Sequence, residues 1–422
     1  MSTCVEHRVV VIGAGYAGIL AANRVQASLT AAEARRVRVT LVNPRADFIE
    51  RVRLHEVAAG VRSSAAIPLG EMLHERIEIV LGTVLQIDAP GRLLSVLTSN
   101  AAAGSGITSE PYDTLVYAVG SVAALGAPGV GDFAHLLGNP DGAETARRAL
   151  ATGPHDQRVV VVGGGATGVE AAAEFAEQYP SASVTLVSRG TVLAHLPVAS
   201  RRYVARSLAR LGVTVLEGNG AVRVLSDAVE LADGTRVPSE VTVWTASFAV
   251  PDLARRSGLA VDPIGRLLVD DELRAVEHPE IFGAGDAVRP PPSVAAHLRM
   301  GCAVAMPLGG HAADNVLAGL RGKPLTKLDI GFAAQCISIG RRRGIIQLLT
   351  KADQPRPIRL TGRAGAVVKE FVCAVIATGS PRRERTHPGS LLLPSGPKRM
   401  PGDLSGRDAP GRTDPHTADS RS

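Results

Sequence analysis

Residues 8–18 and 158–168 of this 422-residue chain have almost the same sequence, RVVVIGAGYAG and RVVVVGGGATG. In each copy a β-branched apolar run precedes three glycines in the spacing G-x-G-x-x-G, and an alanine-rich stretch follows. Such a run is typical of a buried parallel strand, and an alanine-rich stretch is typical of a helix. The repeat therefore predicts two strand–turn–helix units of the same kind.

The three glycines of each copy are suited to holding a pyrophosphate. The first permits a tight turn, the second lets the anion approach the backbone, and the third lets the helix pack closely on the strand. One such pattern is a weak signal, but two copies in the same context predict two dinucleotide sites. The residues predicted to bind at these turns are Gly13, Ala14, Gly15, Tyr16, Ala17 and Gly18 in the first copy, and Gly163, Gly165 and Gly168 in the second.

The next strand of each unit ends without the carboxylate that usually binds the adenosine ribose. In the first copy this position is Asn43, which can hydrogen-bond a ribose without a charge. In the second copy it is Ser188, followed by Arg189, and an arginine without a carboxylate suits the 2′-phosphate of NADPH. The alternative is that Arg189 is a solvated loop residue, so the choice between NADH and NADPH stays open.

Three further motifs accompany the glycine repeat. Residues 278–286 read HPEIFGAGD, residues 112–120 read YDTLVYAVG, and residues 241–247 read VTVWTAS. Taken together in chain order, the glycine repeat and these motifs resemble those of FAD/NAD(P) two-dinucleotide oxidoreductases, the pyridine nucleotide–disulfide oxidoreductase superfamily. Over about residues 8–380 the chain looks most similar to type II NADH dehydrogenases and to flavoproteins resembling apoptosis-inducing factor.

The resemblance implies an α/β fold with two Rossmann-like domains, FAD as cofactor and NAD(P)H as substrate. It implies a discontinuous FAD domain (1–125 and 271–322), an NAD(P) domain (126–270) and a small α+β interface domain (323–380). From residue 381 the chain is rich in Pro and Gly, which predicts a disordered tail (381–422). The resemblance also assigns further residues to the FAD site, namely Val84, Ala118, Gly120, Gly285 and Asp286.

The chain departs from the family pattern at two places that bear on the electron acceptor. Disulfide reductases carry a redox Cys pair where residues 48–56 here read FIERVRLHE, so electrons cannot leave through a protein dithiol. Type II NADH dehydrogenases carry a Gln-containing quinone motif where residues 295–304 here read AAHLRMGCAV. The second departure weakens the case for a quinone as the electron acceptor but does not exclude it.

Three polar residues are candidates for roles beside the reacting rings. Glu170 matches a family acid near the nicotinamide, although it could equally be a helix N-terminal Glu stabilised by the helix dipole. Arg53 could stabilise the anionic reduced flavin and His55 could relay a proton, unless both make only structural contacts. His297 and Cys302 lie toward the expected acceptor side, and Cys302 is interpreted as a small buried hydrophobe.

Composition excludes other classes of protein. An aromatic content of 3% argues against a single-strand nucleic-acid binder, which needs stacking platforms. Four cysteines without a C-x-x-C pair fit a reducing cytoplasm, and the eleven histidines have no metal-ligand spacing, so no metal site is predicted. Because no apolar run reaches about 18 residues, we expect a cytoplasmic protein with at most peripheral contact to the inner face of the membrane. The apolar residues 364–378 are expected to pack against the FAD domain, with lipid contact as the alternative.

The leading functional hypothesis is an FAD-dependent NAD(P)H dehydrogenase. Hydride passes from NAD(P)H to the flavin, and electrons then pass to a quinone or another small acceptor. One alternative is a reductase for an iron–sulfur protein, and another is a slow-turnover flavoprotein that senses NAD(P)H. The family resemblance also implies that the protein could form a homodimer.

Overall fold

The computed structural model describes residues 6–100, 104–391 and 394–398, and its core contains two sheets with parallel strands. The larger sheet has five parallel strands at its centre and antiparallel strands at both edges. In spatial order its strands are Arg274–Ala275, His278–Gly283, Thr114–Tyr117, His7–Ile12, Val37–Asn43, Glu78–Asp88, Leu93–Asn100 and Gly104–Pro111.

The second sheet carries the second glycine pattern and is parallel throughout. In spatial order its strands are Ala134–Leu136, Val241–Trp244, Arg158–Val162, Ser183–Ser188 and Thr214–Glu217. An antiparallel sheet follows it, formed by Ala221–Val224, Ala228–Leu231 and Arg236–Pro238. The α/β fold with two Rossmann-like sheets is therefore confirmed.

Each glycine turn joins its strand to a helix, as the sequence predicts. The helices are Tyr16–Ser28 and Ala166–Gln178. Gly13 and Gly163 have φ of +100° and +132°, which an L side chain rarely adopts. A Cβ on Gly18 would lie 1.8 Å from the Gly13 carbonyl oxygen, so only glycine lets the helix start this close to the strand.

Other helices cover the sheets or join the strands. The longer ones are Pro140–Thr152, Val198–Arg210 and Cys302–Leu320, and the last packs so closely on the first helix that a Cβ on Gly309 would lie 2.3 Å from the Ala17 carbonyl oxygen. The short helices are Glu33–Arg35, Arg51–Arg53, Leu54–Ala58, Leu69–Met72, Val130–Phe133, Leu253–Arg256 and Pro292–Ala295. Three two-stranded pairs complete this part, Asp47–Ile49 with Ala66–Pro68, Val122–Ala123 with Phe248–Ala249, and Leu267–Leu268 with Val288–Arg289.

Residues beyond 333 form a third unit, an antiparallel sheet followed by helices. The strands are Ala334–Ile339, Arg343–Leu349 and Pro355–Thr361, and the helices are Gly362–Phe371, the π-helix Val372–Gly379, and Ser380–Arg383. The larger sheet combines strands that precede residue 126 with strands that follow residue 270, and the discontinuous FAD domain stays a prediction. The domain boundaries at residues 125, 270 and 322 stay a prediction.

The expectation of disorder from residue 381 does not hold for residues 381–391. Pro381 lies in a helix, and the fully buried Glu384 carboxylate pairs with the Arg24 guanidinium at 2.8 Å. The backbone N–H groups of Gly389 and Leu391 donate to the same carboxylate. These contacts hold residues 381–391 in place despite the Pro- and Gly-rich composition, and residues 392–393 and 399–422 lie outside the described part of the chain.

The expectation that residues 364–378 pack against the FAD domain is wrong for one face of the helix. Val367, Phe371 and Val375 are 69%, 56% and 47% exposed. Among the described residues, the continuous helix Gly362–Arg383 is the one long and apolar enough to cross a membrane, judged by length and composition alone.

Candidate active site

The two glycine turns open into one cavity of about 810 Å³ between the sheets. Gly15 and Gly165 both line it, and a Cβ on either would have no atom within 4 Å. The helices that start there have no side-chain cap, so their first backbone N–H groups are available to an anion. Both turns thus fit the pyrophosphate of a bound dinucleotide.

The structure brings most of the predicted residues to the wall of this cavity. Those on the FAD side are Gly15, Tyr16, Ala17, Ala118, Gly120, Gly285 and Asp286. Those on the nucleotide side are Gly163, Gly165, Ser188 and Arg189, and the predicted ring-side residues Glu170 and His55 also line it. Their individual roles stay predictions.

Some predicted residues shape the turns without lining the cavity. Gly13, Gly18 and Gly168 fall in this group, because their missing side chains permit close backbone approach. Asn43 accepts a hydrogen bond from the Ala14 N–H at 3.0 Å and therefore stabilises the first turn. Ala14 and Val84 are buried and also do not line the cavity.

Arg53 is not at the cavity wall. Its guanidinium is buried and pairs with Glu56 at 2.8 Å and with Glu370 at 2.5 Å, which ties the short helix Leu54–Ala58 to the C-terminal helix. Arg51, two residues earlier, lines the cavity instead and donates to the Ser121 carbonyl oxygen at 2.6 Å. Sequence reasoning missed Arg51 because both arginines belong to one 3₁₀ turn and the sequence does not tell which of them faces inward.

Asp286 links Ser121, which follows the YDTLVYAVG motif, to the start of the helix Cys302–Leu320. Its carboxylate accepts from the Ser121 hydroxyl at 2.8 Å and from the Gly301 N–H at 2.7 Å. Gly285, just before it, has φ of +81°. This turn presents a fixed carboxylate to the cavity, as the HPEIFGAGD motif predicts.

A buried ion pair forms part of the cavity wall. The Lys369 ammonium is 2.9 Å from the Glu170 carboxylate, which also accepts from the Ser338 N–H at 3.1 Å. Burial acts to raise the pKa of Glu170, but attraction to nearby cations, chiefly Lys369, and the hydrogen bonds from Lys369 and Ser338 together outweigh burial, so that the pKa is lowered. Burial acts to lower the pKa of Lys369, and Glu170 reverses this so that the pKa is raised. Both groups are therefore charged at neutral pH.

His55 faces the same region with a free ring nitrogen. The side chain is 3% exposed, and Nε2 has no hydrogen-bond partner among the described residues. Burial lowers the pKa of His55, which keeps the imidazole neutral. A buried nitrogen without a partner suits a ligand that supplies one.

Three thiols line the cavity, those of Cys302, Cys336 and Cys373. Burial raises the pKa of all three, to about 11 for Cys336, so the thiols stay protonated and are weak nucleophiles. Cys302 is partly buried in the cavity wall, and its interpretation as a small buried hydrophobe stays a prediction. Within the described ranges, no group of three or more His, Cys, Asp and Glu residues could hold a metal ion.

Sequence reasoning also missed Lys369. It is one of five lysines in a chain in which 46 residues are Lys or Arg, and it interrupts the apolar stretch 364–378. A lysine in such a stretch is costly to bury without a partner, and this is the signal that could have drawn attention to Lys369.

Residues 7–301 match the family described as pyridine nucleotide-disulphide oxidoreductase, and the chain belongs to this family. It is an oxidoreductase that uses FAD and a pyridine nucleotide.

The chain is also similar to individual NADH dehydrogenase-like and quinone-reducing proteins. The chain is 32% identical over 408 residues to the NADH dehydrogenase-like protein MT1860 of Mycobacterium tuberculosis, covering 89% of this chain and 98% of that protein. It is 24% identical to the type II NADH:quinone oxidoreductase of Haemophilus influenzae, covering 84% and 90%. The solved sulfide:quinone oxidoreductase of Aquifex aeolicus has the same fold, with a TM-score of 0.75, 19% identity and coverage of 91% and 93%.

Proposed function

We propose that this enzyme is an NAD(P)H:quinone oxidoreductase whose apolar acceptor reaches the cavity from a lipid surface. Bound FAD and NAD(P)H supply the hydride chemistry, and the protein orients the two dinucleotides along one cavity. The observation that carries the proposal is the helix Gly362–Arg383, one face of which lines the cavity while another is apolar and exposed.

The two faces of this helix have different surroundings. Lys369, Val372, Cys373 and Ala377 line the cavity. The residues of the exposed apolar face are Val367, Phe371, Val375 and Ile376. A contiguous exposed apolar patch marks an interaction surface, and this one lies on the same helix as the cavity wall. An apolar acceptor could thus pass from the exposed face to the cavity along a single helix.

Basic residues beside the patch favour a membrane over another apolar partner. The strand Pro355–Thr361 leads directly into the helix and exposes Ile358 and Leu360 in alternation with Arg359. Arg356 and Arg363 flank them and are also exposed. Apolar side chains with nearby cations are the pattern that binds an interface with anionic headgroups. The proposed location is therefore cytoplasmic and peripheral to the membrane.

The polar groups at the inner end of the cavity suit quinone reduction. A quinone that takes up two electrons must also take up two protons to become a quinol. The Lys369 ammonium can donate a hydrogen bond to a quinone carbonyl oxygen, and Glu170 holds that ammonium in place. His55 Nε2 is available as a second polar contact. The relatives named NADH:quinone oxidoreductase support the same acceptor.

The test is a two-step anaerobic experiment on the FAD-loaded protein. NADH or NADPH should bleach the flavin absorbance, and a short-chain ubiquinone or menaquinone analogue should then restore it within the usual turnover range of about 1–1000 per second. Flavin that is bleached by nucleotide but restored far faster by an iron–sulfur protein than by any quinone would contradict the proposal. Turnover below about 0.1 per second with every acceptor would instead favour the sensing alternative. The homodimer stays a prediction, which sedimentation of the loaded protein would test.

A further inference from the structure

The adenosine end of the nucleotide site contains a small hydroxyl and an arginine. Ser188 is the last residue of the strand Ser183–Ser188, and its buried side chain lies against the second glycine turn. A Cβ on Gly164 would be 2.1 Å from the Ser188 hydroxyl oxygen, so this pair leaves no room for larger side chains. Arg189 follows and lines the cavity.

The guanidinium of Arg189 is free to bind an anion. The residue is exposed, and no hydrogen bond or ion pair engages it within the described part of the chain. Its stem lies on Gly220, where an added Cβ would be 2.9 Å from the Arg189 Cβ. Gly190 and Thr191 continue the same turn along the cavity and add a backbone N–H and a hydroxyl.

No carboxylate of the described residues lines this end of the cavity. The acids in the cavity wall are Glu170 and Asp286, and both are engaged at the flavin end. Glu217 pairs with Ser188 in the sheet register, but its carboxylate accepts from the Val192 N–H at 2.6 Å and is not part of the wall. The site therefore lacks the acid that hydrogen-bonds a ribose 2′-hydroxyl and repels a 2′-phosphate.

We propose that the enzyme uses NADPH in preference to NADH and that Arg189 is the residue that selects it, by binding the 2′-phosphate. This proposal takes one thing from the proposed function, namely that a nicotinamide nucleotide is the electron donor. A guanidinium matches a phosphate with two parallel N–H···O bonds, whereas a free ribose hydroxyl offers it a weaker partner. Ser188 and Thr191 are neutral, so they do not repel the negative charge of the 2′-phosphate.

The first experiment measures binding without turnover. Isothermal titration of the FAD-loaded protein with adenosine 2′,5′-bisphosphate and with adenosine 5′-monophosphate should show tighter binding of the 2′-phosphorylated probe by about tenfold or more. Arg189→Ser should remove that difference and leave the affinity for the 5′-monophosphate nearly unchanged. Equal binding of both probes by the unaltered protein overturns the proposal.

The second experiment measures anaerobic flavin reduction by each nucleotide. The apparent second-order rate constant of flavin reduction should be higher with NADPH than with NADH. Arg189→Ser should lower only the NADPH rate constant, by about 10- to 100-fold. The NADPH rate constant of Arg189→Lys should lie between those of the unaltered protein and Arg189→Ser. Arg189→Asp, which replaces the exposed cation with a carboxylate that repels a 2′-phosphate, should reverse the preference.

Glu217→Gln tests a further alternative, in which Glu217 rather than Arg189 determines the nucleotide preference. If Glu217 turns from Val192 to bind the ribose of NADH, the unaltered enzyme prefers NADH and this variant loses NADH rate, which overturns the proposal. Unchanged rates in this variant support it. A protein whose flavin neither nucleotide reduces would contradict the oxidoreductase proposal itself, and a protein that prefers NADH would contradict only the NADPH inference.

Discussion

Lys369 and Glu170 form an ion pair of 2.9 Å that joins the C-terminal helix to the helix of the second glycine motif, inside the cavity. Their side chains are 14% and 9% exposed. The pair therefore joins the helix proposed to receive the acceptor to the domain predicted to hold the nucleotide.

The first prediction concerns this pair. Lys369→Met should lower kcat/KM for quinone by about a hundredfold, because the polar contact to the quinone oxygen is lost. It should also destabilise the protein by about 3–5 kcal/mol, because Glu170 is left buried without its cation. Urea unfolding and steady-state quinone reduction measure the two effects.

Lys369→Arg and the double variant Glu170→Gln with Lys369→Met are the matched controls. The arginine keeps the charge and should retain most of the stability. The double variant should recover stability without recovering quinone turnover. If Lys369→Met keeps full quinone activity, the pair is structural only.

The second prediction uses the two glycine turns as controls for each other. Gly15→Glu should give a colourless protein, since a carboxylate would occupy the place of the FAD pyrophosphate. Gly165→Glu should leave the protein yellow but abolish its bleaching by nucleotide. Both positions open into free space, so neither change should prevent folding. Absorbance at the flavin band checks both, and normal flavin content in Gly15→Glu would refute the assignment of the first turn.

The sequence predicts these turns well because a glycine requirement is local. Whether a Cβ fits at Gly18 depends on Gly13, five residues away, and the spacing alone shows this relationship. The α/β fold followed from the same two units.

The buried ion pairs between distant parts of the chain are a different case. Lys369 meets Glu170 across 199 positions of sequence, and Glu384 meets Arg24 across 360. In neither pair does the sequence around one residue indicate which residue it pairs with. Burial decides which charges must pair, and burial is a property of the packed chain.

The third prediction concerns lipid binding by the exposed face of the C-terminal helix. The double variant Phe371→Ser with Val375→Ser should bind anionic phospholipid vesicles about thirtyfold more weakly, since roughly 2 kcal/mol of apolar burial is lost. Vesicle co-flotation measures this. Val198→Ser is the matched control, because Val198 is 52% exposed on a different helix.

Vesicle binding of the unaltered protein should also weaken with salt, because Arg356, Arg359 and Arg363 adjoin the patch. If the double variant and the control bind vesicles equally well, the exposed face does not contact lipid.

The fourth prediction concerns Glu174, a fully buried carboxyl on the helix Ala166–Gln178. Burial raises its pKa to about 7; the Arg341 guanidinium, 2.9 Å away, opposes the rise, and Glu56 and Glu177 add to it. In the unfolded chain the same group loses its proton near its ordinary pKa of 4.5. Between these two values the folded protein binds more protons, so the free energy of unfolding falls as pH rises through this range and the loss is complete above about 7.

Glu174→Gln should remove this pH dependence, because glutamine stays neutral throughout. Relative to the unaltered protein, the variant should gain up to about 3 kcal/mol in stability between pH 4.5 and pH 8. Urea unfolding of both proteins across that range measures the gain. Glu240→Gln is the control, since pairing with Arg158 lowers the pKa of Glu240 to about 2, and this variant should show no comparable gain. A constant difference between Glu174→Gln and the unaltered protein at every pH would mean that Glu174 is ionised throughout, held by Arg341.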